Sequence, residues 1–529
     1  MISLLDYGAG NVRSLRNAVA RLGFALTDVR TPADILGAER LLFPGVGAFG
    51  AAMGRLRELG FAEPLREYLL ADRPFLGICI GLQCLFEGSA ESPGVPGLGV
   101  LPGQVERFPA AALSVPHMGW NGLRPRRESA LLAELEAERF YFVHSYCARA
   151  DAGTADWLLA ETDYGQPFVA AVQHGQVIAL QFHPEKSGEP GIELLRRFLA
   201  GEVSVGTPGS TPPPTPPTRL AKRVIACLDV RSNDQGDLVV TKGDQYDVRE
   251  QGEVRNLGKP VDLAARYYHE GADEITFLNI TAFRDFPLRD QPMLEVLRRT
   301  SEQVFVPLTI GGGIRAFTDA DGRAHSALDV AAEYFRSGAD KISIGSDAVY
   351  TVEQVRARGA DGTSAIEQIA ARYGNQAVVI SIDPRRVYVD APDATQRTVI
   401  ETAIPGPNGE RFCWFQCTVS GGREGRDVDA VELARVCEQL GAGEILLNSI
   451  DRDGSGAGFD LELVQAVRGA VRIPVIASSG AGSPAHFVEV FAETGADAAL
   501  AAGIFHRREV PIAAVKAALA DAGVPVRRA

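Results

Sequence analysis

Four segments in the second half of this 529-residue chain return, in the same order, further along it. Leu228-Asp229-Val230 is echoed by Ile382-Asp383-Pro384, and Gly271-Ala272-Asp273-Glu274-Ile275 by Gly441-Ala442-Gly443-Glu444-Ile445. Val306-Pro307-Leu308-Thr309-Ile310-Gly311-Gly312-Gly313 is echoed by Ile473-Pro474-Val475-Ile476-Ala477-Ser478-Ser479-Gly480, and Gly338-Ala339-Asp340 by Gly495-Ala496-Asp497. The offsets, about 154 to 170 residues, are alike and the order is kept, which marks a duplicated block. Read as four strand–helix units, the block makes eight when doubled. Strands are expected near 224–229, 274–280, 305–310, 340–345, 377–383, 444–450, 473–478 and 497–502. Continuous apolar strands alternating with helices predict a closed (β/α)8 barrel built of two half-barrels.

Such a barrel does its chemistry at the C-terminal ends of its strands. Asp229 ends the first and Asp383 the fifth, on opposite sides of the mouth. Two carboxylates placed there suit acid–base work, one protonated and one not. Glycine-rich strand ends recur in both halves: Gly311-Gly312-Gly313 and Gly345-Ser346, then Ser479-Gly480-Ala481-Gly482 and Ala502-Gly503. Glycine lets backbone N–H groups approach phosphate oxygens. Two such sites related by the duplication fit a ligand with a phosphate at each end.

Residues 206–218 read Gly-Thr-Pro-Gly-Ser-Thr-Pro-Pro-Pro-Thr-Pro-Pro-Thr. A stretch like this builds no core and is expected to be a stiff spacer. The expected division is a first domain over 1–203, a linker over 204–219 and the barrel over 220–529. In the first domain, strands are expected at Ile2–Asp6, Leu41–Phe43, Phe75–Cys79, Phe140–His144, Phe168–Gln173 and Val177–Gln181, with helices near Val12–Leu22 and Gly81–Phe86. That alternation predicts an α/β sandwich with a mostly parallel or mixed sheet.

Within it, Gly77-Ile78-Cys79-Ile80-Gly81-Leu82-Gln83 reads as strand, sharp turn and helix, a nucleophile elbow carrying sulfur. The flanking glycines are needed where a Cβ would clash, and the helix N-terminus favours a thiolate. His183-Pro184-Glu185 supplies a proton carrier and a carboxylate to orient it.

Composition narrows the field. Net charge is −14, which argues against a nucleic-acid binder, and 46% hydrophobic residues describe an ordinary globular chain. The seven cysteines show no disulfide spacing and fit a reducing compartment. No run of 18 uncharged apolar residues is present, and the N-terminus enters a strand at once, so the cytoplasm is expected. Cys413 and Cys417 could pair on a metal, but no second pair or nearby histidine supports it, so no metal and no cofactor are expected. Cys84, Cys147, Cys227 and Cys437 read as buried small apolar residues. His117 and His144 read as structural or interface histidines rather than bases.

Cys79 with His183-Pro184-Glu185 resembles the class I glutamine amidotransferases, which release ammonia from glutamine for a second reaction. The barrel half, from Ala221–Asp229 through Thr309–Ile314, Ala339–Ile344, Glu444–Gly454 and Ile476–Gly482, resembles the cyclase subunit of the imidazole glycerol phosphate synthases. The first half, with Pro44-Gly45-Val46-Gly47 and His117-Met118-Gly119-Trp120-Asn121, resembles their glutaminase subunit. The fused order and the insert around 413–422 look like the single-chain form of fungi and plants. The resemblance implies that ammonia from glutamine crosses the barrel and meets phosphoribulosyl formimino aminoimidazole carboxamide ribonucleotide. The products would be imidazole glycerol phosphate, for histidine synthesis, and the aminoimidazole carboxamide ribonucleotide.

Carried over by position, the resemblance implies Cys79 as nucleophile, His183 as base and acid, and Glu185 as its orienter. Val46 and Gly47 match the oxyanion strand, and Gln83 a glutamine-contacting position. Asp383 and Asp229 match the cyclase acid–base pair, and Lys242 a substrate-contacting lysine. Gly312, Gly313, Gly345, Ser346, Asp453, Gly454, Ser479, Gly480, Ala502 and Gly503 fall in the substrate-binding segments. Arg223, Glu274, Lys341 and Glu444 match a charged ring at the barrel's bottom, read as an ammonia gate or as a salt-bridged plug. Asp340 and Lys186 match a pair bridging the modules. Asn279 stands where some members have Asp, Gly345-Ser346 where some have Asn-Thr, and Ser479 where glycine is frequent. With both modules in one chain, a monomer acting on small molecules is expected. Two other readings stay open: a glutaminase joined to a barrel of the pyridoxal phosphate synthase type, which would need strand-end lysines rather than Asp229 and Asp383, and a sensor of a bisphosphate metabolite.

Overall fold

The computed structural model describes residues 2–8, 10–109, 113–151, 153–206, 216–232, 238–241, 249–250, 253–254, 259–279, 288, 292–319 and 321–528. The first domain is built on an eight-stranded sheet. Leu26–Asp28, Ile2–Leu4, Arg40–Gly45, Phe75–Cys79 and Val177–Leu180 run parallel, in that spatial order. Gln166–His174, Leu158–Tyr164 and Arg124–Pro125 continue it antiparallel. Both faces are covered, one by a core around Phe43, Phe49 and Tyr68. The other face packs into a core that runs on without a break into the barrel.

The expected helix at Gly81–Phe86 is a single turn, Ile80–Gln83. Cys84 N still reaches Ile80 O, but Leu85 N and Phe86 N bond only three residues back, so the helix tightens and ends. Arg139–His144 is a strand as expected, but it pairs with His117–Gly122 in a separate antiparallel ribbon rather than in the main sheet.

The second domain is a closed barrel of eight parallel strands: Arg223–Ser232, Glu274–Asn279, Leu308–Gly311, Lys341–Ile344, Val378–Ile382, Glu444–Asn448, Val475–Ser478 and Ala498–Ala501. Pairing of Arg223–Ala226 with Ala498–Ala501 closes it. Every expected barrel strand is present, with ends shifted by a few residues. Val304, Phe305 and Val306 lie before the third strand, where Pro307 cannot donate to the ladder.

The insert is a four-stranded antiparallel sheet following the fifth barrel strand, built from Pro384–Val389, Ile400–Glu401, Phe412–Val419 and Glu424–Asp429. The buried guanidinium of Arg386 ties it to the barrel through Asp460 (2.5 Å) and Glu462 (2.7 Å). Cys413 and Cys417 are buried in its middle strand, and no metal-binding cluster occurs among the described residues. No helix among the described residues is long and apolar enough to cross a membrane. Both described ends of the Pro-rich segment pack on the first domain: Gly206 N donates to Glu128 O, and Thr218 N to Asp163 Oδ2.

Candidate active sites

Cys79 ends the fourth sheet strand with φ 55° and ψ −104°, a conformation that costs a non-glycine residue on the order of 1–3 kcal/mol. Two glycines hold it there. A Cβ on Gly77 would lie 2.8 Å from the carbonyl oxygen of Gly81, and one on Gly81 would lie 2.3 Å from that of Phe43. The elbow therefore packs backbone on backbone, as the sequence requires.

His183 and Glu185 come from the short turn after the Val177–Leu180 strand, and both are buried. His183 Nδ1 and Glu185 Oε1 are 2.8 Å apart. Burial alone would lower the His183 pKa, but the Glu185 carboxylate and the Cys79 sulfur outweigh it and hold the imidazolium well above its usual range. The arrangement sets a charged imidazole close to the Cys79 sulfur.

The sulfur opens into a chamber shared by the two domains. Val46, Cys79 and His183 line one side, and Asp340, Lys341 and Tyr373 of the barrel line the other. The Tyr7 hydroxyl donates to Val46 O (3.1 Å), holding the turn after the Arg40–Gly45 strand that carries Val46 and Gly47. Gly47 takes φ 106°, and a Cβ there would come within 3.1 Å of Arg372 O in the barrel. Gln83 does not line the chamber. Its amide nitrogen is engaged by Tyr146 O (3.0 Å) and Gln181 Oε1 (3.2 Å). Lys186 Nζ meets Asp340 Oδ2 across the interface at 2.6 Å.

Directly beyond Lys341 the barrel's floor is a closed ring of alternating charge. Arg223 contacts Glu274 (3.0 Å) and Glu444 (2.5 Å), and Lys341 contacts both carboxylates at 2.6 Å. All four side chains are buried. Burial alone would push the Glu444 carboxyl up, but Arg223 and Lys341 overcome it and hold its pKa below the ordinary value. Above the ring the barrel interior is lined by Ile225, Cys227, Val379, Leu446, Ile476 and Leu500.

At the far end a cleft of about 430 Å³ holds Asp229 and Asp383, with Asp453, Gly454, Ser479, Gly480, Ala502 and Gly503 also in its wall. Burial raises the Asp383 carboxyl above the usual carboxylate range, although hydrogen bonds from Asn448 (2.8 Å) and Ser381 work against it. Ser479 (φ 73°) and Gly480 (φ 91°) form a left-handed turn, and a Cβ on Gly480 would lie 2.2 Å from Gly458 O.

The matching turn of the other half-barrel, Gly312 and Gly313, has the same positive φ, and a Cβ on Gly312 would lie 2.1 Å from Asn279 O. Gly345 caps the helix Ser346–Arg358, and Ser346 Oγ accepts from Ser420 N of the insert (3.2 Å). These four residues lie outside the lining of the cleft. Lys242 lies outside the described residues.

A class-I glutamine amidotransferase profile matches residues 3–201, and a histidine biosynthesis protein profile matches residues 223–511. The chain is 61% identical over its whole length to the imidazole glycerol phosphate synthase hisHF, chloroplastic, of Arabidopsis thaliana, covering 89% of that protein. The chain belongs to the imidazole glycerol phosphate synthase family. Within this family it is also 55% identical to the hisHF synthase of Schizosaccharomyces pombe, with all of both chains covered. Its barrel half is similar to separate HisF subunits, at 43% identity to that of Methanobrevibacter smithii over 58% of this chain.

Three residues of this synthase escaped the sequence reading. Asn11 donates to Asp340 Oδ1 (2.8 Å) and to Gly338 O (2.9 Å), so it bridges the domains beside Lys186. Asn448 holds Asp383, and Gln181 Nε2 lies 3.5 Å from Cys79 Sγ. Gln181, two residues before His183, was the one a motif search could have found. Nothing around Asn11 or Asn448 in the sequence marks them.

Proposed function

We propose that the chain hydrolyses glutamine at Cys79 and delivers the ammonia along the barrel axis to a cyclisation at Asp229 and Asp383. The thiolate attacks the carboxamide carbon of glutamine, and His183 gives its proton to the departing ammonia. Water activated by the same imidazole then cleaves the thioester and releases glutamate. Backbone N–H groups near Val46 and Gly47 serve the oxyanion, and Glu185 keeps the imidazole oriented. At the other face, ammonia adds to phosphoribulosyl formimino aminoimidazole carboxamide ribonucleotide. Asp383, whose carboxyl burial raises above its ordinary pKa, acts as the acid and Asp229 as the base. The glycine turns at 312–313, 345–346, 479–480 and 502–503 take the two phosphates, with Lys242, Asp453 and Gly454 completing the site. The ketone oxygen leaves as water on ring closure, and imidazole glycerol phosphate and the aminoimidazole carboxamide ribonucleotide are released.

One observation carries this reading: the chamber under Cys79 has Lys341 of the barrel's charged ring in its far wall, so released ammonia meets the barrel floor rather than solvent. Arg223, Glu274, Lys341 and Glu444 are the gate, and Asp340 with Lys186 joins the modules. Lys341→Met tests it in the full chain. Glutamate release per imidazole product should rise well above one, with ammonium-driven cyclisation retained. An unchanged ratio would leave the ring as a plug with no part in transfer. We take residues 1–203 as the glutaminase domain, 204–219 as linker and 220–529 as the cyclase. The working form is proposed as a monomer in the cytoplasm, a compartment that suits seven free cysteines.

A further inference from the structure

His117 and His144 have no part in the chemistry above, yet they lie on a hydrogen-bond path that ends on the nucleophile. They face each other across the ribbon of His117–Gly122 and Arg139–His144, and both are buried. Each donor on the path is determined by its neighbours. Gly122 N donates to Asn121 Oδ1 (2.9 Å), so the Asn121 amide nitrogen points the other way. That nitrogen donates to Asp163 O (3.0 Å) and to His117 Nε2 (3.2 Å). His117 therefore carries its proton on Nδ1 and donates it to His144 Nε2 (3.2 Å). His144 in turn donates from Nδ1 to Tyr146 O (2.7 Å).

The same carbonyl accepts from Gln83 Nε2 (3.0 Å), which also donates to Gln181 Oε1 (3.2 Å). With its oxygen so engaged, Gln181 presents Nε2 to Cys79 Sγ. Both imidazoles are thus single neutral tautomers, because a second proton on either would set N–H against N–H. The far end is fastened as well: Asp163 N donates to Thr218 Oγ1 and Thr218 N to Asp163 Oδ2, both at 2.8 Å, just ahead of the first barrel strand.

We propose that Gln181 is a positioning residue that holds the Cys79 sulfur with an amide N–H, that Gln83, turned by Tyr146 O, fixes the orientation of that amide, and that Asn121, His117 and His144 form a donor relay into Tyr146 O that holds this carbonyl in place. A Gln181 amide free to turn would offer its oxygen to the thiolate, which repels it; the Gln83 amide removes that choice for as long as the relay keeps Tyr146 O in place. Neutral histidines suit the task because each is rigid and has one donor and one acceptor. The path also ties the nucleophile to the segment that leads into the barrel.

This rests on Cys79 being the nucleophile of the proposed reaction, and Cys79→Ala tests that separately: retained glutamine-driven turnover would defeat the reading itself, whatever the relay does. The relay is tested by the pH profile of iodoacetamide alkylation at Cys79 in the full chain, read on its peptide, with kcat and KM for glutamine. Gln181→Glu keeps the shape but turns a carboxylate toward the sulfur. It should move the alkylation midpoint up by about one pH unit, a tenfold slowing near neutrality. His144→Phe keeps the aromatic packing with Phe108, Phe142 and Phe168 but removes both hydrogen bonds. It should shift the profile the same way by a smaller step and lower kcat more than KM, with partial rescue in His144→Gln. Ammonium-driven cyclisation reports the fold of each variant. If His144→Phe does not fold, Asn121→Asp makes the same test, since a carboxylate oxygen would draw a second proton onto His117 and break the path. An unshifted Gln181→Glu profile would overturn the proposal. A shift in Gln181→Glu alone, with His144 and Asn121 variants at wild-type values, would overturn the relay.

Discussion

Cys79 is held in a strained conformation and His183 in its charged form by neighbours that differ in kind. Backbone contact at Gly77 and Gly81 does the first, and the Glu185 carboxylate does much of the second. Glu185→Gln should therefore lower the His183 pKa and weaken the positive charge held beside the Cys79 sulfur. Glutamine-driven turnover should fall by about 10²–10⁴-fold, with ammonium-driven cyclisation spared, in parallel steady-state assays.

Asp383 gives the opposite sign. Its folded pKa is raised, so the folded chain binds that proton more tightly than the unfolded chain, and the stability so gained is lost as pH rises from the ordinary carboxylate range through the raised value. Asp383→Asn should melt higher than the parent at neutral pH, with the gain vanishing in acid, while cyclisation falls by about 10²–10⁴-fold. Thermal melts across pH, beside cyclisation assays, check both. The meeting of Cys79, His183 and Glu185 was legible because each sits in a short motif of adjacent residues. Asn448 was not, because its role depends on Asp383, which lies one strand over.

At the scale of elements, the elbow depends on how closely strand and turn approach. Gly81→Ala would press a Cβ against the Phe43 carbonyl, 2.3 Å away, in a strand with no freedom to move. It should cost about 1–3 kcal/mol as overpacking and displace Cys79. The variant should lose most glutaminase turnover and show a lower denaturant midpoint. The barrel strands were legible because each is buried on both faces and reads as an apolar run. The ribbon of His117–Gly122 with Arg139–His144 was only half legible: its polar residues are satisfied by one another and by loops rather than by a sheet's alternation. The insert's sheet was legible as an insertion but not in its attachment, since the Arg386 partners Asp460 and Glu462 lie far along the chain.

In the whole molecule the two domains share one continuous core, and polar contacts rim the passage between them. Lys186 and Asn11 both converge on Asp340, beside the chamber that joins Cys79 to the ring. Lys186→Met leaves the half-buried Asp340 carboxylate with a lost partner and should loosen the seal. Glutamate release should then outrun product formation several-fold, and ammonium-driven activity should persist; comparing glutamate with imidazole product measures it. The sequence by itself determined the barrel, the sandwich, their order and the side chains proposed to react, because periodicity, duplication and short motifs are local properties of the chain. The tertiary structure alone decided that the Cys79 chamber backs onto Lys341, that the ring is closed, and that Gln83 faces Gln181 and Tyr146. Those depend on how side chains hundreds of residues apart satisfy one another once both domains exclude water.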